Sequence, residues 1–307
     1  MAIAYISHPE CRLHEMGVHH PEQPARLTAI SDRLVASGVD MVLHHFDAPL
    51  VEREALLAAH DEQYVEHVYA TAPTEGHVWL DGDTAMNSHT LQAALRAAGA
   101  ACLGVDLVMR GEVRQAFCAI RPPGHHAERA RGMGFCIFNN VAVAALHALQ
   151  AHGLERVAIV DFDVHHGNGT EDIVAGDERI LFCSSFQHPF YPHTGFDSTA
   201  PNIVDAPLPA GSGGAALREL VEEKWLPRLR GFAPQLLLIS AGFDGHAADD
   251  MAQLNFVDSD YAWLTARLCE VAAESAERRV VSVLEGGYEL HALARSVEAH
   301  IKAFMDF

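Results

Sequence analysis

The chain alternates short apolar runs with longer segments whose apolar residues recur every three or four positions. The short runs have the length and residue types of β-strands, and the longer segments have the period of amphipathic α-helices. The predicted strands are Ala2–Ile6, Met41–His45, Gln115–Ile120, Arg156–Asp161, Arg179–Ser184, Gln235–Ser240 and Val280–Leu284. The predicted helices are Ala25–Ser37, Ser88–Arg110, Asn139–His152, Ala215–Arg230, Ser259–Arg278 and Leu290–Phe304. Gly111 lies where a left-handed helix cap is expected. Pro227 is expected to end or kink its helix, with Gly231 as a competing stop.

Strands that alternate with helices predict a mostly parallel sheet between two helical layers, which is a three-layer α/β/α fold. The chain has 307 residues and no repeat, linker or low-complexity segment. We therefore expect residues 1–307 to form a single domain. In open sheets of this kind, ligands bind in the crevice at the carboxyl ends of the strands.

Composition narrows the functional class. Hydrophobic residues make up 49% of the chain and charged residues 20%, as in a soluble protein with an ample core. No apolar run is long enough to cross a membrane, and the first residues lack the features of a signal peptide. The six scattered cysteines form no C-x-x-C pair, which argues against structural zinc and indicates a reducing compartment, the cytoplasm. A net charge of −20 disfavours direct nucleic-acid binding and is compatible with cationic substrates.

The stretch Val157–Thr170 carries the strongest chemical signal. An apolar strand runs directly into Asp161, Asp163 and His165, which occupy every second position. Side chains of a strand alternate between its faces, so these three residues are expected to point the same way. Two aspartates and a histidine on one face are costly neighbours without a cation. This strand end is therefore a candidate metal site.

Polar residues also follow three other predicted strands. His125 and His126 come after the strand at 115–120 in a rigid Pro-Pro-Gly loop, and adjacent imidazoles suit proton transfer. Asp244 ends the strand at 235–240 and is a natural third metal ligand. Tyr288 follows a Gly-Gly turn after the last strand, where its phenol can donate a hydrogen bond to an oxyanion. Three ligands with an open position are typical of catalytic zinc, and this set predicts metal-assisted amide hydrolysis.

With these motifs the sequence resembles the histone deacetylase superfamily, nearest to class II deacetylases and bacterial acetylpolyamine amidohydrolase relatives. The likeness spans almost the whole chain in the right order. The matching stretches are His8-Pro-Glu10, His20-Pro-Glu-Gln-Pro-Ala-Arg-Leu27, Arg121-Pro-Pro-Gly-His-His-Ala-Glu128, Gly134-Phe-Cys-Ile-Phe-Asn139, Asp161-Phe-Asp-Val-His-His-Gly-Asn-Gly-Thr170, Ser240-Ala-Gly-Phe-Asp244 and Glu285-Gly-Gly-Tyr288.

The resemblance implies one catalytic Zn²⁺ held by Asp163, His165 and Asp244, although the same ligands also suit iron. It implies that His126 is the general base toward the attacking water and that Tyr288 stabilises the oxyanion. The remaining implied roles are positional: His125 bonds Asp161, and Asn168 orients His126. A structural K⁺ is also implied, with Asp161, Asp163, His165, Ser184 and Ser185 as its ligands.

The implied substrate channel is formed by aromatic and small residues. Its candidates are Gly134, Phe135, Gly286, Gly287, Met251 and an aromatic side chain at Tyr191 or Phe190. Asp83 is a further candidate for gripping the substrate backbone or amine, although an ordinary turn aspartate explains it equally well.

Three departures from the family pattern limit the transfer. The stretch Ser184-Ser-Phe-Gln187 lacks the histidine that the family usually has two residues after the first serine. The segment around 188–195 is shorter than in many eukaryotic members. Met251 falls where polyamine-selective relatives carry a glutamate, and an apolar side chain there argues against an acetylpolyamine as the substrate.

The leading hypothesis is a zinc-dependent deacetylase acting on an acylated lysine peptide or protein, or on an acetylated small amine. Acetylpolyamine deacetylation by the same chemistry is the nearest alternative. An arginase-like dinuclear manganese hydrolase and a catalytically inactive acyl-lysine-binding module are more distant ones. No membrane partner is expected, and assembly into a homo-oligomer is compatible with the sequence.

Overall fold

An eight-stranded sheet, parallel throughout, runs through the centre of the computed structural model, which describes residues 2–306. The strands of the chain are β1 Ile3–Ser7, β2 Leu43–Asp47, β3 Val78–Trp79, β4 Ala85–Met86, β5 Gln115–Cys118, β6 Val157–Asp161, β7 Ile180–Gln187, β8 Ile203–Leu208, β9 Leu236–Ala241 and β10 Val280–Leu284. The order in the central sheet is β2-β1-β5-β10-β9-β6-β7-β8, and β3 pairs with β4 in a small antiparallel hairpin.

Helices cover the sheet and connect its strands. They are α1 Ala25–Ser37, α2 Arg53–Ala59, α3 Glu62–Thr71, α4 Thr90–Met109, α5 Asn140–His152, α6 Asn168–Val174, α7 Gly214–Leu220, α8 Leu226–Phe232, α9 Asp258–Ser275 and α10 Leu290–Met305. Short 3₁₀ turns occupy Pro9–Arg12 and Val39–Val42. The predicted α/β class and its mostly parallel sheet are confirmed. The single-domain assignment stays a prediction.

All seven predicted strands are present, with ends within three residues of the prediction. The sequence missed β8, because its short apolar pattern is interrupted by Asp205 and Pro207. Proline removes a ladder donor and is tolerated at a sheet edge, which is where β8 lies. The short helices α2, α3 and α6 were also missed, and α6 begins at Asn168-Gly169, which resembles a turn.

The predicted helix at 215–230 is interrupted. A π-helical turn at Val221–Trp225 separates α7 from α8, and Pro227 lies in the first turn of α8, where its missing N–H is tolerated. The expectation of a stop at Gly231 was wrong, because α8 continues to Phe232 and ends in a left-handed Ala233. Gly111 follows α4 with φ of +71°, which confirms the predicted left-handed cap.

Of the helices in residues 2–306, α4 alone has the length and composition of a membrane span. This corrects the expectation that no apolar run is long enough. The helix is 72% buried in the protein because it packs on β1, β5, β10 and α5. Its small residues permit this approach: a Cβ atom at Gly104 would lie 2.7 Å from Val281 Cγ1.

The strand order explains why remote motifs meet. Strands β5, β10, β9 and β6 are consecutive neighbours in the sheet and run parallel. Each is followed by one of the polar motifs singled out in the sequence. All four motifs therefore lie at one edge of the sheet, the edge at which α/β folds bind ligands.

Candidate active site

Three buried side chains converge at this edge. His165 Nδ1 lies 3.0 Å from Asp163 Oδ1 and 3.2 Å from Asp244 Oδ2. One ligand atom from each residue lies within 4.8 Å of the others. The structure thus brings together all three residues that the sequence proposed as metal ligands.

Backbone amides hold the two carboxylates in place. Gly286 N donates to Asp163 Oδ2 at 2.9 Å, and Val164 N donates to Asp244 Oδ1 at 3.0 Å. Asp244 Oδ2 is buried and has no hydrogen-bond partner. The turn at Gly286 is pressed against the carboxylates, since a Cβ atom there would lie 2.6 Å from Asp163 Oδ2. An orphaned carboxylate oxygen beside an imidazole, in a cradle closed by glycine, fits a bound divalent cation.

The charges of the cluster are strongly coupled. Burial and the charge of Asp163 raise the pKa of Asp244 to about 6. Burial opposes ionisation of Asp163, yet the charge of His125 and hydrogen bonds from His165 lower its pKa. Burial also opposes a charge on His165, but the neighbouring carboxylates of Asp163 and Asp244 raise its pKa to about 9. The pocket is thus an environment that attracts positive charge.

The two adjacent histidines have different surroundings. His125 Nδ1 lies 2.9 Å from Asp161 Oδ2, and its ring centroid is 4.0 Å from that of His126. Burial works against a charge on His125, but Asp161 and Asp163 raise its pKa to about 10. Burial and the charges of His125 and His165 lower the pKa of His126 well below its usual value. One imidazole is therefore held as a cation and the other as a neutral base.

A short relay fixes the tautomer of His126. Asn168 Nδ2 donates to Glu128 Oε1 at 2.8 Å, and an ionised carboxylate can only accept. The Asn168 carboxamide therefore turns its Oδ1 toward His126 Nδ1, 2.7 Å away. Nδ1 must carry the proton, which leaves the lone pair on Nε2. Sequence reasoning missed Glu128, although it closes the quoted Arg121–Glu128 motif.

Glu285 holds the loop that carries the histidines. Its Oε2 accepts from Gly124 N at 2.7 Å and from His125 N at 3.2 Å, and its Oε1 accepts from Ser240 Oγ at 3.1 Å. Burial raises the pKa of this carboxyl to about 7. The residue lies within the Glu-Gly-Gly-Tyr motif, but nothing in the sequence pattern indicated this contact.

The turn that presents Tyr288 is braced from both sides. Tyr288 N donates to Asp249 Oδ2 at 2.6 Å, and Gly287 has φ of +119°, a conformation that glycine adopts readily. Arg26 Nε donates to Gly287 O at 2.7 Å, and its guanidinium lies 5.0 Å from the Tyr288 ring centroid. Burial and Asp244 raise the pKa of Tyr288 well above its usual value, so the phenol keeps its proton.

Arg26 belongs to a buried ionic network that sequence reasoning also missed. Arg26 Nη1 donates to Glu22 Oε1 at 3.0 Å, and Arg121 Nη2 donates to Glu22 Oε2 at 2.6 Å. Both arginines are fully buried, as is the carboxylate between them. The network connects the amino-terminal segment to the turn before Tyr288.

A cavity of about 220 Å³ leads to the cluster. It is smaller than the roughly 300–1,000 Å³ of sites for drug-sized ligands, so it suits a narrow, unbranched group. The residues that line it are Asp83, His126, Gly134, Phe135, His165, Phe190, Tyr191, Met251 and Tyr288. Both aromatic alternatives for the channel take part: Phe190 stacks on His165 at 5.6 Å, and Tyr191 meets the His126 ring edge at 5.2 Å.

The Gly134-Phe135 turn has an unusual backbone. Both residues have positive φ, +56° and +70°. A Cβ atom at Gly134 would lie 2.5 Å from His126 Cδ2, so glycine permits the close approach of the loop to the imidazole. Thr84 Oγ1 accepts from Phe135 N at 2.9 Å, and Asp83 Oδ1 accepts from Gly134 N at 3.2 Å. Asp83 thus supports this turn, and its proposed grip on substrate stays a prediction.

One departure from the family pattern lies in the stretch Ser184-Ser-Phe-Gln187, which lacks the usual histidine. Gln187 is buried, and its side-chain oxygen accepts from Gln253 N at 2.7 Å, which ties down the segment after Met251.

Among the residues predicted to hold potassium, Asp161 and Ser184 are register partners on β6 and β7. Ser184 Oγ is buried without a partner, and Ser185 is also buried.

A family model described as the histone deacetylase domain matches residues 20–304. The chain belongs to the histone deacetylase family. The uncharacterized protein slr0245 of Synechocystis is 40% identical to this chain, in an alignment that covers 99% of each of the two proteins. The human polyamine deacetylase HDAC10 is 37% identical over 94% of this chain and 44% of its own length. The crystal structure of the HDA15 HD domain matches with a TM-score of 0.93 and 32% identity, over 99% of this chain and 88% of that one.

This membership confirms the resemblance drawn from the motifs and the fold expected from it. It supports a hydrolytic deacetylase activity for this member of the histone deacetylase family.

Proposed function

We propose that the protein is a zinc-dependent deacetylase. It hydrolyses an N-acetyl or longer N-acyl amide on a lysine-like amine and releases a carboxylate and the free amine. The observation that carries this proposal is the convergence of Asp163, His165 and Asp244 at the inner end of a narrow cavity also lined by His126 and Tyr288.

Asp163, His165 and Asp244 would hold the zinc ion, because their donor set and the orphaned Asp244 Oδ2 fit it. Zinc bound there supplies Lewis-acid polarisation of the amide carbonyl and makes water acidic enough to attack at neutral pH. Iron suits the same donors, so the identity of the metal in the cell is a matter for metal analysis.

His126 takes the proton of the attacking water on Nε2, the nitrogen left free by the bond from Nδ1 to Asn168. The same nitrogen then returns a proton to the leaving amine. Tyr288 donates its hydroxyl proton in a hydrogen bond to the amide oxygen, on which negative charge develops. His125, which bonds to Asp161, lies next to the His126 ring and helps to hold it in place.

The cavity favours an acyl-lysine substrate. Phe135, Phe190 and Tyr191 give the cavity apolar walls that would surround an aliphatic chain, and its small volume suits a narrow group. Met251 adds an apolar side chain to the same wall. An acetylated polyamine is the second candidate, because human HDAC10, named as a polyamine deacetylase, is a relative. Comparing kcat/KM for acetyl-lysine peptides and acetylspermidine separates the two.

The test is a pair of variants of the purified, zinc-reconstituted enzyme. His126→Ala and Tyr288→Phe are expected to lower kcat by about 10²-fold or more, while zinc content stays at the wild-type value. His67→Ala and Tyr69→Phe, at exposed positions, are the matched controls and should retain activity. Near-normal turnover in both active-site variants would contradict the mechanism.

Other readings make different predictions. A dinuclear manganese hydrolase requires further carboxylates to bridge two ions at this site, and metal analysis would reveal the second one. An inactive binding module would bind an acyl-lysine peptide without product release. The K⁺ site at Asp161, Asp163, His165, Ser184 and Ser185, the cytoplasmic location and the oligomeric state remain predictions.

A further inference from the structure

A second group of potential metal ligands lies outside the cavity just described. His166 follows the β6 motif, Glu171 lies on α6, and Asp205 lies on β8. His166 Nε2 is 3.1 Å from Glu171 Oε2 and 3.4 Å from Asp205 Oδ1. One ligand atom from each residue lies within 4.8 Å of the others. Although His165 and His166 are adjacent in sequence, they contribute to different clusters.

Several polar atoms of this cluster lack hydrogen-bond partners. His166 Nε2 and both carboxylate oxygens of Asp205 are buried, and none has a hydrogen-bond partner. Buried carboxylate oxygens without partners are costly, because nothing replaces the water they have lost. A protonated His166 would offer one Nε2–H to two carboxylates, so at least one of them would stay uncompensated. Glu171 and Asp197, which also act on the Asp205 carboxyl, are both negative.

The spacing fits a metal ion. Metal bonds of about 2.1 Å to nitrogen and oxygen, at tetrahedral or octahedral angles, place neighbouring ligand atoms about 3.0–3.4 Å apart. The distances around His166 Nε2 are 3.1 and 3.4 Å. The corresponding distances around His165 Nδ1, in the catalytic cluster, are 3.0 and 3.2 Å. In both clusters one imidazole nitrogen lies 3.0 to 3.4 Å from two carboxylate oxygens.

The remaining ring nitrogen of His166 is already held. Its Nδ1 lies 3.0 Å from Thr194 Oγ1, and a metal-bound histidine usually gives its other N–H to such an acceptor. Gly195 packs on the same ring, since a Cβ atom there would lie 2.6 Å from His166 Cγ. Thr194 and Gly195 belong to the loop that also carries Phe190 and Tyr191.

We propose that His166, Glu171 and Asp205 form a second divalent-cation site, separate from the catalytic cluster, that takes Zn²⁺ or a similar transition-metal ion. The ion joins α6 and β8 beneath the loop whose aromatic residues line the substrate cavity. Its role is structural: it fixes that loop through His166 and its bond to Thr194. The proposal does not rest on the deacetylase activity.

The test counts metal ions in the full-length protein. Chelator-stripped protein is dialysed against micromolar Zn²⁺, and bound zinc is measured by plasma mass spectrometry. Wild type is expected to bind two ions per chain. Asp205→Asn and Asp244→Asn are each expected to bind one, and the double variant none. Asp197→Asn removes an equal charge from an exposed neighbour and should still bind two.

Glu171→Gln, at a less buried position, provides a second variant if Asp205→Asn fails to fold, and it should also lose one ion. In Asp244→Asn, added Zn²⁺ is expected to raise the melting temperature, and this rise should vanish when Asp205→Asn is added. If Asp205→Asn and Glu171→Gln both bind as much zinc as wild type, the proposal is overturned. The cluster is then explained by a protonated His166 between two carboxylates. If Asp244→Asn loses an ion and Asp205→Asn does not, only the catalytic zinc site is supported. The proposals for the catalytic site and for the second site can therefore fail independently.

Discussion

The Gly286 turn gives the sharpest quantitative test of the proposed metal centre. In Gly286→Ala, the atom nearest to the new Cβ would be Asp244 Oδ2, with Asp163 Oδ2 at 2.6 Å and Asp244 Cγ at 2.7 Å. Carbon atoms in contact normally stay about 3.5 Å apart, so the Asp244 carboxyl would have to withdraw by at least roughly 0.8 Å. A metal–ligand bond tolerates a change of only about 0.2 Å. The substitution should therefore remove a ligand without introducing or deleting any charge.

We expect Gly286→Ala to weaken zinc binding by about 10²-fold, at the upper end of the losses seen when supporting groups around a metal are changed. At saturating zinc, kcat/KM should fall by about 10²-fold, because a ligand displaced by roughly 1 Å no longer supports productive geometry. Zinc affinity is measured by competition with a chromophoric chelator, and turnover with a fluorogenic acetyl-lysine peptide.

Gly231→Ala is the matched control, since no atom lies within 4 Å of a Cβ atom at that position. Its affinity and turnover should equal those of wild type. Circular dichroism of the metal-free proteins verifies that both variants fold. Wild-type zinc affinity and turnover in Gly286→Ala would refute the placement of this turn against the two carboxylates.

Three further predictions concern the base, the channel and the core. Glu128→Ala frees the Asn168 carboxamide to rotate and should lower kcat about tenfold, which is a rise of about 1.4 kcal/mol in the activation free energy. KM and zinc content should stay constant, and an unchanged kcat would show that Glu128 does not position the base. Met251→Glu should raise the ratio of kcat/KM for acetylspermidine to kcat/KM for an acetyl-lysine peptide about fivefold. The new carboxylate would pair with the polyamine's ammonium group, and a partly exposed ion pair contributes up to about 1 kcal/mol. An unchanged ratio would show that residue 251 does not determine substrate preference. Burial lowers the pKa of His300 to about 3 in the folded protein, so below pH 6.5 the unfolded chain binds a proton that the folded protein does not. The free energy of unfolding that is present above pH 6.5 is therefore lost as the pH falls toward 3. In urea unfolding between pH 6 and 5, His300→Gln should reduce the slope of this free energy against pH by up to about 1.4 kcal/mol per unit, and a slope equal to that of wild type would contradict this assignment.

The chemistry of the site could be predicted largely from local patterns. The alternation of Asp161, Asp163 and His165 after an apolar strand indicated a metal site, because strand periodicity puts such residues on one face. Asp244 and Tyr288 follow other apolar strands, and parallel strands end at a common edge. The distances among these side chains depend on strand order, which no local pattern contains.

The supporting residues could not be predicted for the same reason. Glu128 lies 40 residues from Asn168, and Arg26 lies 261 residues from Gly287. Each forms its contact only because the folded chain brings distant segments together. Asp205 escaped notice because β8 was itself missed: Asp205 and Pro207 interrupt the apolar run that marks a buried strand. Interior strands are marked by continuous apolar runs, whereas an edge strand is defined by its single neighbour.

The buried network of Arg26, Glu22 and Arg121 has a consequence for biosynthesis. Every proposed zinc ligand has been synthesised once Asp244 is added, but the turn at 285–288 that Arg26 binds has not. A nascent chain of that length contains the proposed metal ligands but lacks the phenol donor and the turn that Arg26 braces. Helix α1 packs on α10, which is synthesised after every proposed zinc ligand, so this contact also forms late. Competence for hydrolysis is thereby deferred until α10 has been made.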